Sequence, residues 1–162
     1  MRGPNRRQVL AAIVLAPIVS GGIGATAGCG VLGDGAPDPL VPLATQARAD
    51  AALAEAVAAA GSTGSTGSPG SPVTAQAREI ATARTAHAVA LEAEITRRSG
   101  APAPAAPPGS APAAGATPAA LRAALTSAGE TAVRAVLELP ADRVGLVASV
   151  AACCTAHAEV LA

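Results

Sequence analysis

The stretch IATARTAHAVALEAEI, residues 80–95, carries the pattern that decides the fold. At about 100° per residue, the aliphatic side chains of this stretch share one side of a helix with its histidine. These inward positions are Ile80, His87, Leu91 and Ile95, and Val73, which precedes the stretch, lies on the same side of the helix. The other positions are mostly alanine, threonine or charged residues. The pattern therefore predicts a long amphipathic helix with a narrow apolar face.

The tetrapeptide TAHA within this stretch returns at residues 155–158, and the two copies contain the only histidines of the chain, His87 and His157. A shift of 70 residues (157 minus 87) superposes the copies and also aligns aliphatic residues on the same face. The repeat fits two related helical hairpins, each ending in a TAHA helix. Chance agreement in an alanine-rich chain is the alternative.

Four segments of the chain have helical character. The predicted helices cover residues 43–60, 72–98, 118–139 and 141–162, with low-complexity linkers at about 61–71 and 100–117. The second and third helices open on Ser71-Pro72 and Thr117-Pro118, where a capping residue precedes a proline at the first helical position.

Each of the other three helices also has an apolar stripe. The inward positions are Leu53 and Val57 with Ala49 and Ala60 on the first helix; Leu121, Leu125, Ala128, Ala132, Val136 and Leu139 on the third; and Leu146, Val147, Val150, Cys154, His157 and Leu161 on the fourth. Four amphipathic helices in this order predict an all-α fold, an up-down-up-down four-helix bundle over residues 42–162.

Composition limits both the core and the partners. Hydrophobic residues make up 51% of the chain, but alanine dominates them and Phe, Tyr and Trp are absent, so the core must be thin. Cleavage before Cys29 would remove three of the eleven arginines and leave eight against eleven acidic residues, a net charge of −3. A weakly acidic chain without aromatic residues to stack on bases is not expected to bind nucleic acid.

The first 28 residues have the layout of a signal peptide. Basic residues precede a short apolar run, and small residues follow it. Asn5-Arg6-Arg7-Gln8-Val9-Leu10 resembles the twin-arginine export motif, which Arg6 and Arg7 match. Asn5, Val9 and Ala11 depart from the residues usual in that motif.

The end of this segment, Thr26-Ala27-Gly28-Cys29, resembles a bacterial lipobox, with Thr26 in place of the usual Leu or Val. The resemblance implies that Cys29 becomes a lipid-modified N-terminus and binds the protein to the membrane. Two acyl chains suffice for stable anchoring. A flexible tether over residues 29–41 would then join the anchor to the bundle at the outer face of the bacterial cytoplasmic membrane.

A polar layer is expected inside the bundle. In an up-down-up-down bundle the second and fourth helices are parallel, which would place His87 and His157 at one height. The antiparallel first helix would bring Gln46 and Asp50 to the same level. We expect the two imidazoles to form hydrogen bonds with one another, with Gln46 or Asp50, or with backbone carbonyls.

The alternative use of the histidines is a bis-histidine site for haem or a single transition metal. Cys154 could join it, because Cys154 and His157 have Cys-x-x-His spacing. We favour the hydrogen-bonded layer and no cofactor, since two histidines do not close a metal site and no aromatic residue is present to pack against a porphyrin. Of the two adjacent thiols, Cys153 is expected at the edge of the face and more reactive, and Cys154 inside.

The alanine-rich chain, the twin-arginine and lipobox motifs and the histidine-bearing helices resemble actinobacterial exported proteins with a ferritin-like four-helix domain. The best local match is TAHAVALEAE, residues 85–94. Ferritin-like di-iron enzymes carry Glu-x-x-His on two helices. Here Arg84 and Cys154 stand three residues before the two histidines, so a di-iron centre is not expected.

No catalytic constellation is visible in the sequence. It has no recognisable Ser-His-Asp set, phosphate-binding glycine loop or carboxylate pair. The expectation is therefore a non-enzymatic structural or binding module of the cell envelope, held at the membrane through Cys29 and able to bind a protein partner.

Overall fold

The computed structural model describes residues 37–63, 71–105 and 115–162. The predicted signal peptide with Arg6 and Arg7, the lipidation site Cys29 and most of the tether lie outside the described residues. The central parts of both predicted linkers lie outside them as well.

The described residues form four α-helices and no strand, as predicted. Their bounds are Leu40–Thr63 (α1), Pro72–Ser99 (α2), Pro118–Val136 (α3) and Ala141–Val160 (α4). None of them is long and apolar enough to cross a membrane.

The bundle begins before the predicted boundary at residue 42. The carboxylate of Asp38 accepts a hydrogen bond from the backbone N–H of Leu40 at 2.8 Å, which caps the first turn of α1. Leu40 is fully buried. Asp38, Leu40 and Val41 therefore belong to the folded domain and not to the tether.

The other helix ends follow from local chemistry. Thr117 caps α3 by accepting from the N–H of Ala120, whereas the Ser71 side chain, the expected cap of α2, makes no such bond. The helix α2 ends at Ser99, and the residue that follows it, Gly100, has a left-handed φ of 68° that suits glycine. The helix α3 stops at Val136, three residues earlier than predicted, because the chain turns there toward Pro140.

Two apolar clusters fix the direction of each helix. The cluster at the end where α1 begins, here called the base, contains Leu40, Leu43, Ala44, Leu91, Ile95, Ala132, Val147 and Ala151. The cluster at the far end contains Ala54, Val57, Ala58, Ala77, Ile80, Ala81, Leu121, Leu125 and Ala158. Along α2 and α3 the residue numbers rise from the far end to the base, whereas along α1 and α4 they rise from the base to the far end.

The order of directions is therefore up-down-down-up, and the up-down-up-down prediction is wrong. The helix α1 packs beside α2 and α3, and α4 packs beside α3 and α2. The segment between α2 and α3 must return from the base to the far end. At about 3.1 Å per residue, its Pro/Ala-rich sequence can span roughly 50 Å, more than the length of α3 at about 1.5 Å per residue. The described ends of this segment agree, since Ala103 packs at the base and Ala116 at the far end.

The buried positions alternate three and four residues apart, the spacing of left-handed bundles. The fully or nearly fully buried series are Leu40, Leu43, Ala47, Asp50, Ala54 and Val57 on α1, and Thr74, Ala77, Ala81, Arg84, Ala88, Leu91 and Ile95 on α2. Ala49, Ala60 and Val73, predicted to face inward, are exposed. The predicted apolar stripe of α1 runs through Leu53, which is only half-buried, so the observed interface lies on a neighbouring face of the helix.

Two glycine substitutions should have opposite effects on stability. Gly145 lies in α4, and a β-carbon added there would meet no atom of the described residues within 4 Å apart from the adjacent backbone of its own helix. Gly145→Ala should therefore raise the free energy of unfolding by about 1 kcal/mol. The same change at Gly61 of α1 would place a β-carbon 2.5 Å from the hydroxyl oxygen of the buried Thr74 and should destabilise the protein. Urea unfolding measures both, and a stabilising Gly61→Ala would contradict the α1–α2 packing.

Candidate functional site

The largest fully buried side chain of the described residues is an arginine, Arg84 of α2. It is 1% exposed and occupies a core position, four residues after Ile80 and seven before Leu91. A buried guanidinium requires a counter-charge and partners for its donors. Its contacts therefore define the polar site of the bundle.

The counter-charge comes from α1. The Arg84 Nη2 donates to Oδ2 of Asp50 at 2.7 Å, and the Asp50 residue is 1% exposed. The other carboxylate oxygen accepts from the side-chain amide of Gln46 at 2.7 Å. Because both oxygens accept hydrogen bonds, this geometry is that of an ionised carboxylate. Gln46, predicted to be inward, is an exposed residue whose amide reaches in.

The second guanidinium nitrogen connects α2 to α4. The Arg84 Nη1 donates to the sulfur of Cys154 at 3.2 Å and lies 3.3 Å from Nδ1 of His87. The remaining donor, Nε, has no hydrogen-bond partner among the residues that the structure describes. Arg84 thus joins α1, α2 and α4 at one level of the bundle.

Burial sets the protonation of the groups around Arg84. Desolvation lowers the pKa of His87, and the charge of Arg84 lowers it further, so the imidazole is neutral at pH 7 and Nδ1 can accept a hydrogen bond. Burial likewise raises the pKa of the Cys154 thiol, against the opposing attraction of Arg84. Cys154 is therefore a thiol that accepts from Arg84, without the thiolate character that a nucleophile needs.

The pKa of Asp50 is raised by burial, although Arg84 and Gln46 both favour its ionised form. The two opposing effects are those of a buried ion pair, in which desolvation competes with attraction. Nothing in this set is arranged as a nucleophile with an activating base, so the geometry supports a structural role for the pair.

The predicted polar layer is formed in part. Gln46, Asp50 and His87 belong to one hydrogen-bonded chain, but Arg84 links them. His157 lies elsewhere, with Nδ1 3.3 Å from the side-chain amide of Gln76. The two histidines do not share a hydrogen bond in the structure.

The antiparallel arrangement of α2 and α4 explains this separation. Arg84 and Cys154 are equivalent under the shift of 70 residues, and they contact each other at 3.2 Å. Contact between equivalent residues is expected where a local two-fold axis relates two hairpins. His87 and His157 each lie three residues beyond that point in opposite directions, which separates them by about 9 Å along the helices at about 1.5 Å per residue.

The residues proposed for a bis-histidine metal or haem site do not fit one. Within the described ranges, no group of three or more His, Cys, Asp or Glu side chains is placed to hold a metal ion. His87 and Cys154 both face the guanidinium of Arg84, which would repel a cation. Cys153 is a half-buried free thiol whose pKa is raised by burial, and it is the more accessible member of the thiol pair.

A second buried arginine, Arg143 of α4, ties the base together. It is 4% exposed, and its Nη2 donates to both carboxylate oxygens of Asp38 at 2.9 and 2.8 Å. Its Nε lies 3.3 Å from Oε1 of Glu94 near the end of α2. Arg143 therefore holds the cap of α1, the last turns of α2 and the first turn of α4 in one register.

Sequence reasoning missed both buried arginines. The signal for Arg84 was its position, since it continues the three-and-four spacing of the apolar residues on α2. The sequence shows no comparable signal for its partner, because Asp50 could equally have faced solvent. The sequence signal for the burial of Arg143 was weaker, and it consists of its position four residues before Val147 on the apolar face of α4.

Comparison with known proteins gives no relative. No family model matches the chain, and no match was found among curated proteins or solved structures.

Removing one member of the buried ion pair should be costly. Asp50→Ala leaves the Arg84 guanidinium buried without a counter-charge and should lower the free energy of unfolding by about 3–5 kcal/mol in urea unfolding. The control is Glu92→Ala, which breaks the Arg48–Glu92 pair, whose side chains are 38% and 28% exposed. That loss should be at most about 1 kcal/mol.

The double variant Asp50→Leu/Arg84→Met separates charge from packing. It removes both charges and should be more stable than Asp50→Ala. Equal losses for Asp50→Ala and Glu92→Ala would show that Arg84 is not buried as described.

The lowered pKa of His87 gives stability a pH dependence. The unfolded chain protonates this residue near its ordinary pKa of 6.5, and the folded protein does so only at lower pH. Below pH 6.5 the unfolded state therefore binds more protons, and the contribution of His87 falls as pH falls. His87→Gln removes this contribution. The free energy of unfolding of the wild type minus that of His87→Gln should therefore decrease as the pH is lowered from about 7.5 to about 5.5.

Urea unfolding across that range measures the effect. Asp50 changes stability with pH in the opposite direction, because its raised pKa makes its contribution to the free energy of unfolding fall as pH rises. It is present in both proteins, so the difference between them isolates His87. Parallel pH profiles would contradict the assignment.

Proposed function

We propose that the protein is an exported lipoprotein whose four-helix domain serves as a non-enzymatic structural or binding module at the outer face of the cytoplasmic membrane. The observation that carries the proposal is the N-terminal sequence. Arg6-Arg7, a short apolar run and Ala27-Gly28-Cys29 follow in the order required for export and lipid attachment.

The described interior supports the non-enzymatic part of the proposal. The centre of the bundle is occupied by the Arg84–Asp50 pair and by alanines. The two groups with catalytic potential there, His87 and Cys154, are hydrogen-bonding partners of Arg84. A module of this kind would act through its surface, by binding a protein of the cell envelope.

A ferritin-like origin of the domain is part of the same proposal. Ferritin-like folds contain two helical hairpins joined by one long crossover, whereas up-down-up-down bundles have short loops. The parallel course of α2 and α3 and the long segment between them support this assignment. The ion pair of Arg84 lies where the TAHA helices cross, so the resemblance would be one of topology without a metal centre.

Replacing Cys29 tests the anchor directly. Wild-type protein expressed in a bacterial host should enter the detergent phase on partitioning, and Cys29→Ala should remain in the aqueous phase because two acyl chains are lost. The matched control is Cys153→Ala, which changes another cysteine of the same chain and should partition as the wild type does.

Detergent-phase partitioning of Cys29→Ala would refute the lipoprotein proposal. Mass spectrometry of the N-terminal peptide provides the second readout. It should show a diacylglyceryl group on Cys29 of the wild type and of Cys153→Ala.

A further inference from the structure

The chain enters the bundle at a fixed point on the base. Pro37 is the first described residue, and Asp38 next to it is clamped by Arg143 at 2.8 Å. Seven residues lie between Cys29 and Pro37. The eight steps along the chain from Cys29 to Pro37 can span at most about 26–29 Å at ~3.3–3.6 Å per residue. A protein anchored at Cys29 would therefore hold the point where the chain enters the base within about that distance of the membrane.

The base presents a large exposed apolar side chain. Leu137, in the turn between α3 and α4, is 84% exposed, more than any other large hydrophobic residue in the described ranges. Its neighbours Val136 and Leu139 pack against the apolar cluster of the base. The turn is thus held from both sides, and Leu137 is directed away from the core.

Charged residues at the same end of the bundle do not make the base strongly positive, because its arginines are paired with acidic residues. Arg97 and Arg98 have side chains 58% and 47% exposed, and both reach Asp142, at 3.5 and 3.6 Å. Arg97 also pairs with Glu94 at 2.7 Å. These arginines have long aliphatic stems and accessible donors, which suit the headgroup level of a bilayer.

We propose that the base of the bundle docks on the phospholipid membrane, with Leu137 inserted at the boundary between headgroups and acyl chains. Arg97 and Arg98 then face the phosphates. A single leucine would not hold the protein on its own, but the anchor at Cys29 makes the contact intramolecular. This inference rests on the proposed function, since it is the anchor that brings the base to the membrane.

The absence of Phe, Tyr and Trp from the chain allows a clean test. Leu137→Trp places the only fluorophore at the base, and Val160→Trp, at a residue 63% exposed near the far end, is the matched control. Each lipidated full-length protein is reconstituted into phosphatidylcholine–phosphatidylglycerol vesicles with or without brominated acyl chains. Glu138→Trp, at an exposed neighbour in the same turn, replaces Leu137→Trp if circular dichroism shows that the latter is misfolded.

The tryptophan at 137 should shift its emission to the blue on reconstitution, and brominated lipid should quench it about threefold more than the tryptophan at 160. Equal quenching of the two variants in protein that floats with the vesicles would overturn the inference and leave the anchor intact. A blue shift without quenching would show that the base meets protein instead of lipid, and would also overturn it. Failure of the wild-type protein to float would overturn the anchor and the inference together.

Discussion

The burial of Arg84 is the constraint on which the rest of the structure depends. A guanidinium in an apolar core must find a carboxylate and acceptors for its remaining donors. Arg84 finds Asp50 on α1 and Cys154 on α4, so both hairpins must be in register at one level. The surrounding alanines would pack in several registers with similar energy, because each buries little area. The contacts of Arg84 with Asp50 and Cys154 form in only one of these registers.

Arg143 repeats this solution at the base. Both buried arginines lie on helices that carry a TAHA copy, and each joins three helices. Arg84 does so through hydrogen bonds, and Arg143 through hydrogen bonds to Asp38 and an ion pair with Glu94. Between them, small side chains let the helices approach closely without aromatic residues. A chain with a thin apolar core thus obtains its specificity from two buried cations and their acidic partners, Asp50 and Asp38.

The TAHA repeat takes its meaning from the antiparallel crossing of α2 and α4. The residues that meet are Arg84 and Cys154, three positions before the histidines, and the histidines lie on opposite sides of that point. In a parallel pair they would have shared one level. The same repeat is therefore compatible with a bis-histidine site in one topology and with two separate polar contacts in the other.

The sequence by itself determined the helix content, most helix bounds and much of the buried face of α2, because periodicity, prolines and glycines act locally. It also placed Asp50 and His87 near each other, because the first two helices are antiparallel in the structure as in the prediction. Only the tertiary structure decided the up-down-down-up order, the burial of Arg84 and Arg143 and the separation of His157 from His87. These depend on which helices meet and in which direction, and the long segment between α2 and α3 permits either direction. An arginine at a core position becomes buried only when a carboxylate from another helix reaches it, and no single helix carries that information.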